Sequence, residues 1–423
     1  MSPFMPLRRH YPSLAVLLAA SAVTLPAFAA RDGEGPEDVN KAAPPAPKPS
    51  EPTASGAGGV TPDTLQPAPA DPNAPDKAPS PWALDVYGYL RAGYDYTFQD
   101  SRYEFVGRNN GFVLDSARVG LQGRSRAYDV TFRVSLEGAS DVLTSPNTPI
   151  GSLAVRTRDA FVRWDPASYI GIQAGQFKAP FQEEELRGTQ SLLFASRAVG
   201  VAGVMPGRGF QQAGIALDRQ LGVMLSPIKP IGGDVAVSYY LMVMNGNGPN
   251  QLLDDNGKVG LVGRTELDIL GHARVGAAVF RNERTVGTPP NLYDEEDLGM
   301  TGDLSARVAG LEVLGAVTRV RTVFPTVGTS ARVQLAFQGQ AGYRFDIGRV
   351  QLTPAYRYAY LHPWQTGGSA GFDAFKLQYH TFGARVAHAR LPLTAWLNYT
   401  VTGEEAARKL TNDRIEILGQ VTF

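Results

Sequence analysis

The sequence predicts an all-β protein: a transmembrane antiparallel β-barrel of about 16 strands with a disordered, Pro-rich N-terminal spacer. Three observations predict it. Apolar and polar residues alternate with period two in sixteen segments, as where Leu393 and Leu397 alternate with Thr394 and Asn398. Short and long connections alternate between the segments, and the last segment ends in an aromatic residue, Phe423. Together these features are typical of outer-membrane barrels, with tight periplasmic turns and longer outside loops.

Each strand is placed where the alternation is clearest. The predicted strands lie at 83–98, 112–124, 128–140, 154–165, 169–178, 209–226, 234–245, 258–268, 272–282, 298–308, 311–322, 332–346, 349–362, 375–388, 391–403 and 413–423. The long connections include 245–257 and 282–297. A sheet of this size must close into a barrel, because unpaired strand edges are not tolerated in lipid.

The N-terminal part has a different character. Residues 1–29 combine Arg8 and Arg9, an apolar run over 14–23 and an A-x-A end, which predicts a signal peptide. Residues 30–81 form a Pro/Ala-rich segment that holds thirteen of the prolines. Such a segment buries too little apolar surface to order itself. We therefore expect a disordered periplasmic spacer before a barrel at 82–423.

The composition excludes several classes of protein. Lys+Arg and Asp+Glu both number 40, so no basic excess favours a nucleic-acid ligand. The absence of cysteine excludes disulfides, thiol nucleophiles and iron–sulfur clusters. The five histidines show no accompanying nucleophile motif such as G-x-S-x-G. We expect no enzyme, no cofactor and no metal site.

Export through the inner membrane would place the barrel in the outer membrane of a Gram-negative-type bacterium. The expected partners are outer-membrane lipid, small ionic solutes and the outer-membrane assembly machinery, for which Phe423 is the expected signal.

Sixteen strands enclose a water-filled channel, which makes passive transport the expected function. If the apolar stripes and Phe423 face outward, the opposite parity faces the lumen. The cations of that parity are Arg91, Arg118, Arg124, Arg133, Arg264, Arg274, Arg307, Arg332, Arg344, Arg357, Lys258 and Lys376. They either form an anion path along the wall or pair with lumen acids, as in a general porin. A sugar porin would instead use aromatic lumen residues such as Tyr87 and Trp396.

The connection at 178–208 is the longest in the predicted barrel, and long loops in compact folds are usually functional. We expect it to fold into the lumen and form the constriction. Its charged residues are Lys178, Glu183, Glu184, Glu185, Arg187, Arg197 and Arg208. The three glutamates would oppose anions if they line the constriction.

Several motifs resemble one family. The segment 175–181, GQFKAPF, resembles the G-[QR]-F-K-x-P-F segment of the phosphate-selective porin O and P family, and the DAFV of 159–162 is similar to the strand before it. Residues 87–92 of the first strand and 117–123 of the second also resemble the family. The resemblance implies a sixteen-stranded trimeric porin whose third outside loop folds inward, and whose members include conductors of phosphate or polyphosphate.

The resulting expectation is an outer-membrane porin for passive diffusion of small anions. The alternatives are a general non-selective or sugar-permeable porin and, from another class, a structural protein that anchors the outer membrane through the Pro-rich spacer.

Overall fold

The barrel wall consists of sixteen antiparallel strands. The computed structural model describes residues 82–145, 148–326, 329–365, 376–405 and 409–423, so the predicted signal peptide and spacer lie outside the described residues. The strands are β1 (Trp82–Thr97), β2 (Gly111–Ser125), β3 (Val130–Ser145), β4 (Thr148–Ala167), β5 (Ile170–Lys178), β6 (Arg219–Ser226), β7 (Val235–Met244), β8 (Gly260–Ile269), β9 (Ala273–Thr288), β10 (Asn291–Val308), β11 (Leu311–Phe324), β12 (Thr329–Tyr343), β13 (Val350–Gln365), β14 (Lys376–His388), β15 (Leu393–Glu405) and β16 (Arg414–Thr422). The predicted sixteen-stranded fold is confirmed.

Shorter elements complete the described structure. Phe345–Ile347 continues β12 alongside β13, and Ile231–Gly232 pairs with β7. Between β5 and β6 lie helix α1 (Glu183–Leu186), a 3-10 turn (Thr189–Ser191), helix α2 (Val199–Ala202) and a small ladder of Gly203–Val204 with Gln212–Ala213. No helix among the described residues is long and apolar enough to cross a membrane.

The barrel closes where β1 meets β16. Their register runs from Tyr89 opposite Thr422 to Thr97 opposite Arg414. Beyond it, the backbone N–H of Phe423 donates to the Gly88 carbonyl at 3.0 Å, and that of Gly88 donates to the Phe423 carbonyl at 2.9 Å. The C-terminal residue therefore extends this last seam.

The outer wall is apolar. Along β1, Leu84, Val86 and Leu90 are exposed, and exposed leucine and valine side chains recur on the same face of most strands. Aromatic pairs lie toward the strand ends, among them Tyr94 with Phe112 at 5.3 Å between ring centroids. This wall fits a lipid environment, in which outward positions are apolar and aromatic residues mark the interfaces.

Several boundaries differ from the prediction. The expected connection at 141–153 is mostly strand, because β3 continues to Ser145 and β4 begins at Thr148. The expected long loop at 282–297 is mostly strand, because β9 and β10 continue as far as Thr288 and Asn291. Alternation of apolar and polar residues fades there, although the backbone ladder continues. The expected strand at 209–226 begins only at Arg219, after Asp218 with a φ of 50°. Residues 209–218 belong to the preceding connection.

Candidate functional site: the lumen and its loop

The connection from β5 to β6, residues 179–218, crosses the inside of the barrel; we call it the lumen loop. It starts and ends at the same place, because the Ala179 N–H donates to the Asp218 carbonyl at 3.0 Å. Gln182 Nε2 then donates to Thr318 on β11 at 2.9 Å. On the other side, Trp396 Nε1 of β15 donates to the Leu192 carbonyl at 3.2 Å. The loop is therefore held by strands far apart on the wall.

Apolar side chains fasten the loop to the wall. The ring of Phe181 packs edge-on against Phe280 of β9 at 4.8 Å between centroids. We call the whole group the lumen core. It comprises Phe177, Ala179, Phe181, Ala198, Val199, Val204 and Ile215 with Met224, Met242, Met244, Val262, Ala278, Phe280, Val320, Ala336, Ala359, Leu361, Leu377 and Tyr379. Each large side chain buried here contributes roughly 1.5–3 kcal/mol, so the loop is a packed part of the fold.

The three glutamates of α1 are buried against this wall. Glu183 pairs with Arg187 at 3.2 Å, and Glu184 lies 3.5 Å from Arg357 Nη1 of β13. Glu185 accepts a hydrogen bond from the Asp218 backbone N–H. Each of the glutamates has a relative exposure of 6% or less. These contacts hold the loop in place, and that the glutamates line the constriction stays a prediction.

The loop arginines are also engaged. Arg187 reaches Glu312 of β11 at 2.6 Å. Arg197 donates to the backbone carbonyls of Glu184 and Arg187, the latter at 2.9 Å. Both therefore serve in the attachment of the loop.

Arg208 lies at the closing seam of the barrel. It contacts Asp95 of β1 at 2.5 Å and Glu416 of β16 at 3.6 Å. Asp95 and Glu416 are register partners across the β1–β16 seam. Like charges directly opposite each other destabilise a ladder, so Arg208 compensates a repulsion at this point.

A closed ring of six alternating charges joins the wall strands β2, β3, β4 and β6 to Asp218, the last residue of the lumen loop; we call it the ion ring. Arg118 contacts Glu137 at 3.0 Å, and Glu137 contacts Arg158 at 2.7 Å. Arg158 lies 3.8 Å from Asp218. Arg219 contacts Asp218 at 3.1 Å and Asp159 at 2.9 Å, and Asp159 lies 3.6 Å from Arg118. The ring contains three arginines and three carboxylates, so its formal charges cancel.

Sequence reasoning named Arg118 but missed Arg158 and Arg219. A signal for both exists in the chain. Arg158 directly precedes the DAFV segment, and Asp218-Arg219 interrupts the apolar alternation of a predicted strand. A charged pair inside a strand pattern indicates a buried ion partner, because an isolated charge there is unfavourable.

Three further predicted lumen arginines hold the loop. Arg264 makes a bidentate contact with Asp303, both distances being 2.7 Å, and donates to the Phe181 carbonyl at 2.8 Å. Arg91 pairs with Asp115 at 3.1 Å and lies 5.0 Å over the Trp396 ring. The β1–β2 ladder shifts register between Arg91 and Ala92, and this shift brings the Asp115 side chain to the lumen side.

Arg357 is the third of these arginines. It donates to the Ser196 carbonyl at 2.8 Å and lies 4.5 Å over the Phe194 ring. Its guanidinium therefore binds the loop backbone and stacks on a loop aromatic.

Lys178 is the last residue of β5 and has 8% relative exposure. Its Nζ donates to the carbonyls of Glu185 and Arg187, the latter at 3.1 Å. Within the same segment, Gly175 has a φ of 127°, and a Cβ there would lie 2.2 Å from the Ala160 carbonyl oxygen. The segment 175–181 therefore shapes the base of the lumen loop.

The remaining predicted cations are more open. Arg133 lies 5.3 Å over the Tyr87 ring, and Arg332 lies 5.8 Å over Phe324. Arg124 is exposed, and Arg274 lies 3.7 Å from Glu266. The side chains of Arg307 and Arg344 are 60% and 48% exposed near the short turns.

The prediction that Lys376 faces the lumen is wrong. Its neighbours Leu377 and Tyr379 belong to the lumen core, so Lys376 has the outward parity and pairs with Glu405 at 3.2 Å. The assignment assumed that apolar side chains face lipid. On β14 the lumen loop reverses this rule, because it covers an apolar inner face.

A pH dependence follows from Glu185. Burial and then the Asp218 carboxylate raise the pKa of Glu185 to about 7, against the opposing effects of Lys178 and Arg197. The folded state therefore retains a proton that the unfolded state has lost above its ordinary glutamate pKa of about 4.3. The contribution of Glu185 to the free energy of unfolding is fully present below the ordinary glutamate pKa, and it is lost as the pH rises to about 7.

Glu185→Gln removes this dependence, because an amide does not titrate. We expect the Tm of the Glu185→Gln variant, measured relative to that of the unchanged protein, to increase from pH 5 to pH 8. Thermal unfolding in detergent measures it. A difference that is constant over this range would contradict the assignment.

The described residues contain no group of three or more His, Cys, Asp or Glu side chains that could hold a metal ion.

Comparison with known proteins agrees with this architecture. Residues 86–225 match the family model "Phosphate-selective porin O and P", which confirms the resemblance over that segment. No curated protein sequence gives a significant match. The matched segment includes the ion ring and the lumen loop.

Solved structures share the fold. The outer-membrane channel DcaP of Acinetobacter baumannii aligns at 13% identity and TM-score 0.55, over 82% of this chain and 99% of that chain. An anion-selective porin from Comamonas acidovorans aligns at 12% identity and TM-score 0.53, over 81% and 100%. The trimer form of in-vitro folded OmpT from Vibrio cholerae aligns at 9% identity and TM-score 0.53, over 81% and 99%. Fold and family match together indicate an outer-membrane porin channel rather than an enzyme.

Proposed function

We propose that the protein is an outer-membrane porin that lets small hydrophilic solutes diffuse past the lumen loop, with a weak preference for anions, phosphate among them. One observation carries the anion preference. The side chains of Arg307 and Arg344 are 60% and 48% exposed at the short-turn mouth, and Arg385 lies partly buried on the inner face of β14, opposite Trp396. Exposed guanidinium groups at a channel mouth raise the local concentration of anions.

The preference is weak because the deeper arginines are neutralised. The ion ring has no net charge, and Arg264 pairs with both Asp303 and Glu266 at 2.7 Å. A strongly phosphate-selective wall needs guanidiniums free to exchange one anion after another. The paired arginines favour the mixed-charge wall of a general porin as the second candidate.

We propose a homotrimer as the assembly. The support is the likeness of the fold to OmpT, whose structure is described as a trimer form. Size measurement of the detergent-solubilised protein by light scattering tests this proposal.

The reversal potential in a planar bilayer under a KCl gradient tests the selectivity. We expect a potential on the anion side. Changing Arg307, Arg344 and Arg385 together to Gln should move it to zero or to the cation side, because the mouth then loses three positive charges while Glu312 and Asp346 keep their negative ones. Phosphate at millimolar concentration should reduce the chloride current only weakly.

The matched control removes three positive charges from the outer wall by changing Arg281, Arg319 and Arg321 to Gln. It should leave the reversal potential unchanged. A potential near zero for the unchanged protein would contradict the anion preference and support the general porin. Strong block by phosphate would instead show a dedicated phosphate site.

A further inference from the structure

The outer wall carries a compact basic patch. Arg281 of β9 and Arg321 of β11 are both register partners of Leu298 on the strand between them. Arg319 lies one outward position from Arg321 along β11, opposite Met300. All three arginines are exposed. We call them the outer arginine patch.

The patch marks one end of the apolar band. On the side of the short turns, the outward neighbours Val279, Met300 and Val317 are each about half exposed, at 49%, 49% and 50%. On the opposite side the next outward pair is Glu283 with Glu296. An arginine that faces lipid is strongly unfavourable at the bilayer midplane and far less so near the interface. The patch therefore lies at the outer interface.

The patch has an unbalanced charge. Arg281 pairs with Glu283 at 2.7 Å, and Glu283 also binds Lys258 at 2.6 Å. Arg319 and Arg321 have no ion pair with any residue in the part of the chain that the structure describes. Two free guanidiniums thus stand beside an apolar surface.

We propose that the outer arginine patch binds the phosphate groups of an anionic lipid in the outer leaflet. A guanidinium offers a planar set of donors that fits phosphate bidentately. Lipid phosphates lie at the level where an apolar band ends, and an anionic surface attracts basic residues at that level. The acyl chains of the same lipid would cover Val279, Met300 and Val317.

A lipid fits this surface better than a second copy of the chain. The patch stands beside exposed valine, methionine and leucine side chains, which acyl chains cover without needing a complementary shape. This site is separate from the channel, so a result against lipid binding would leave the proposed ion selectivity unaffected.

The experiment uses the full barrel in phosphatidylcholine nanodiscs that contain bisphosphorylated lipid A or its dephosphorylated form. Native mass spectrometry after release counts the lipids retained per protomer. We expect the unchanged protein to retain the phosphorylated form, and Arg319→Gln with Arg321→Gln to retain at least about tenfold less. The control, Arg307→Gln with Arg344→Gln, removes equal charge from the lumen and should retain the lipid fully.

Adding inorganic phosphate distinguishes binding of the lipid headgroup from binding of free phosphate. Added at 10 mM, it should not displace the retained lipid, because it lacks the acyl chains. Equal retention by the two double variants would overturn the proposal, as would equal retention of the dephosphorylated lipid. Loss of oligomers in the Arg319/Arg321 variant without loss of lipid would overturn it in favour of a contact between copies.

Discussion

Replacing Asp159 by Asn should destabilise the barrel by about 3–5 kcal/mol, the range for a buried ion pair that loses one partner. Asp159 contacts Arg219 at 2.9 Å and Arg118 at 3.6 Å, and all three side chains are buried. The amide leaves two buried guanidiniums with less compensation. Urea unfolding in detergent, followed by tryptophan fluorescence, measures the change.

The control makes the same chemical change at an exposed ion pair. Asp346 lies 3.5 Å from Arg344, and both side chains are about half exposed. Asp346→Asn should cost at most about 1 kcal/mol, as exposed pairs do. A double variant, Asp159→Leu with Arg219→Met, should cost less than Asp159→Asn alone, because no charge of that pair remains. Equal losses for Asp159→Asn and Asp346→Asn would refute a structural role of the ion ring.

Shortening the lumen loop should have the largest effect on conduction. Replacing residues 183–208 by a short Gly-Ser linker removes α1, α2 and the segment that Arg91 and Arg357 hold. The lumen of a sixteen-stranded barrel is then open, and single-channel conductance should rise by about threefold or more. Single-channel recording in planar bilayers measures it.

The control shortens an exposed loop by deleting 252–256, where Leu252 and Leu253 are 86% and 81% exposed. That deletion should leave conductance within about a factor of 1.5, because the loop lies outside the packed lumen. An unchanged conductance after removal of 183–208, in a barrel that still inserts, would mean that the loop does not set the constriction.

The sixteen strands were predictable because the lipid side and the lumen side impose period two on nearly every segment. The alternation of apolar and polar residues is misleading where the lumen face is apolar or the outer face is polar. At Lys376 the inner face is apolar because the loop packs on it. Past Asn282 both faces of β9 and β10 are polar, so the alternation ends before the strands do.

The roles of the arginines could not be predicted in the same way. Arg264 and Asp303 are 39 residues apart, and Arg91 and Ala195 are 104 apart. Parity places a cation in the lumen, but only the register of distant strands and the path of the loop decide whether it meets a carboxylate. The sequence alone therefore does not distinguish a free guanidinium from a paired one.

The contact of Arg208 with both sides of the closing seam has a consequence for assembly. Asp95 lies on the first strand and Glu416 on the last, and the residue between them comes from the middle of the chain. The final strand pairing brings two carboxylates together, and Arg208 lowers their repulsion once the loop is inside. Loop entry therefore favours ring closure, because a nascent barrel whose loop is still outside lacks this compensation at its last seam.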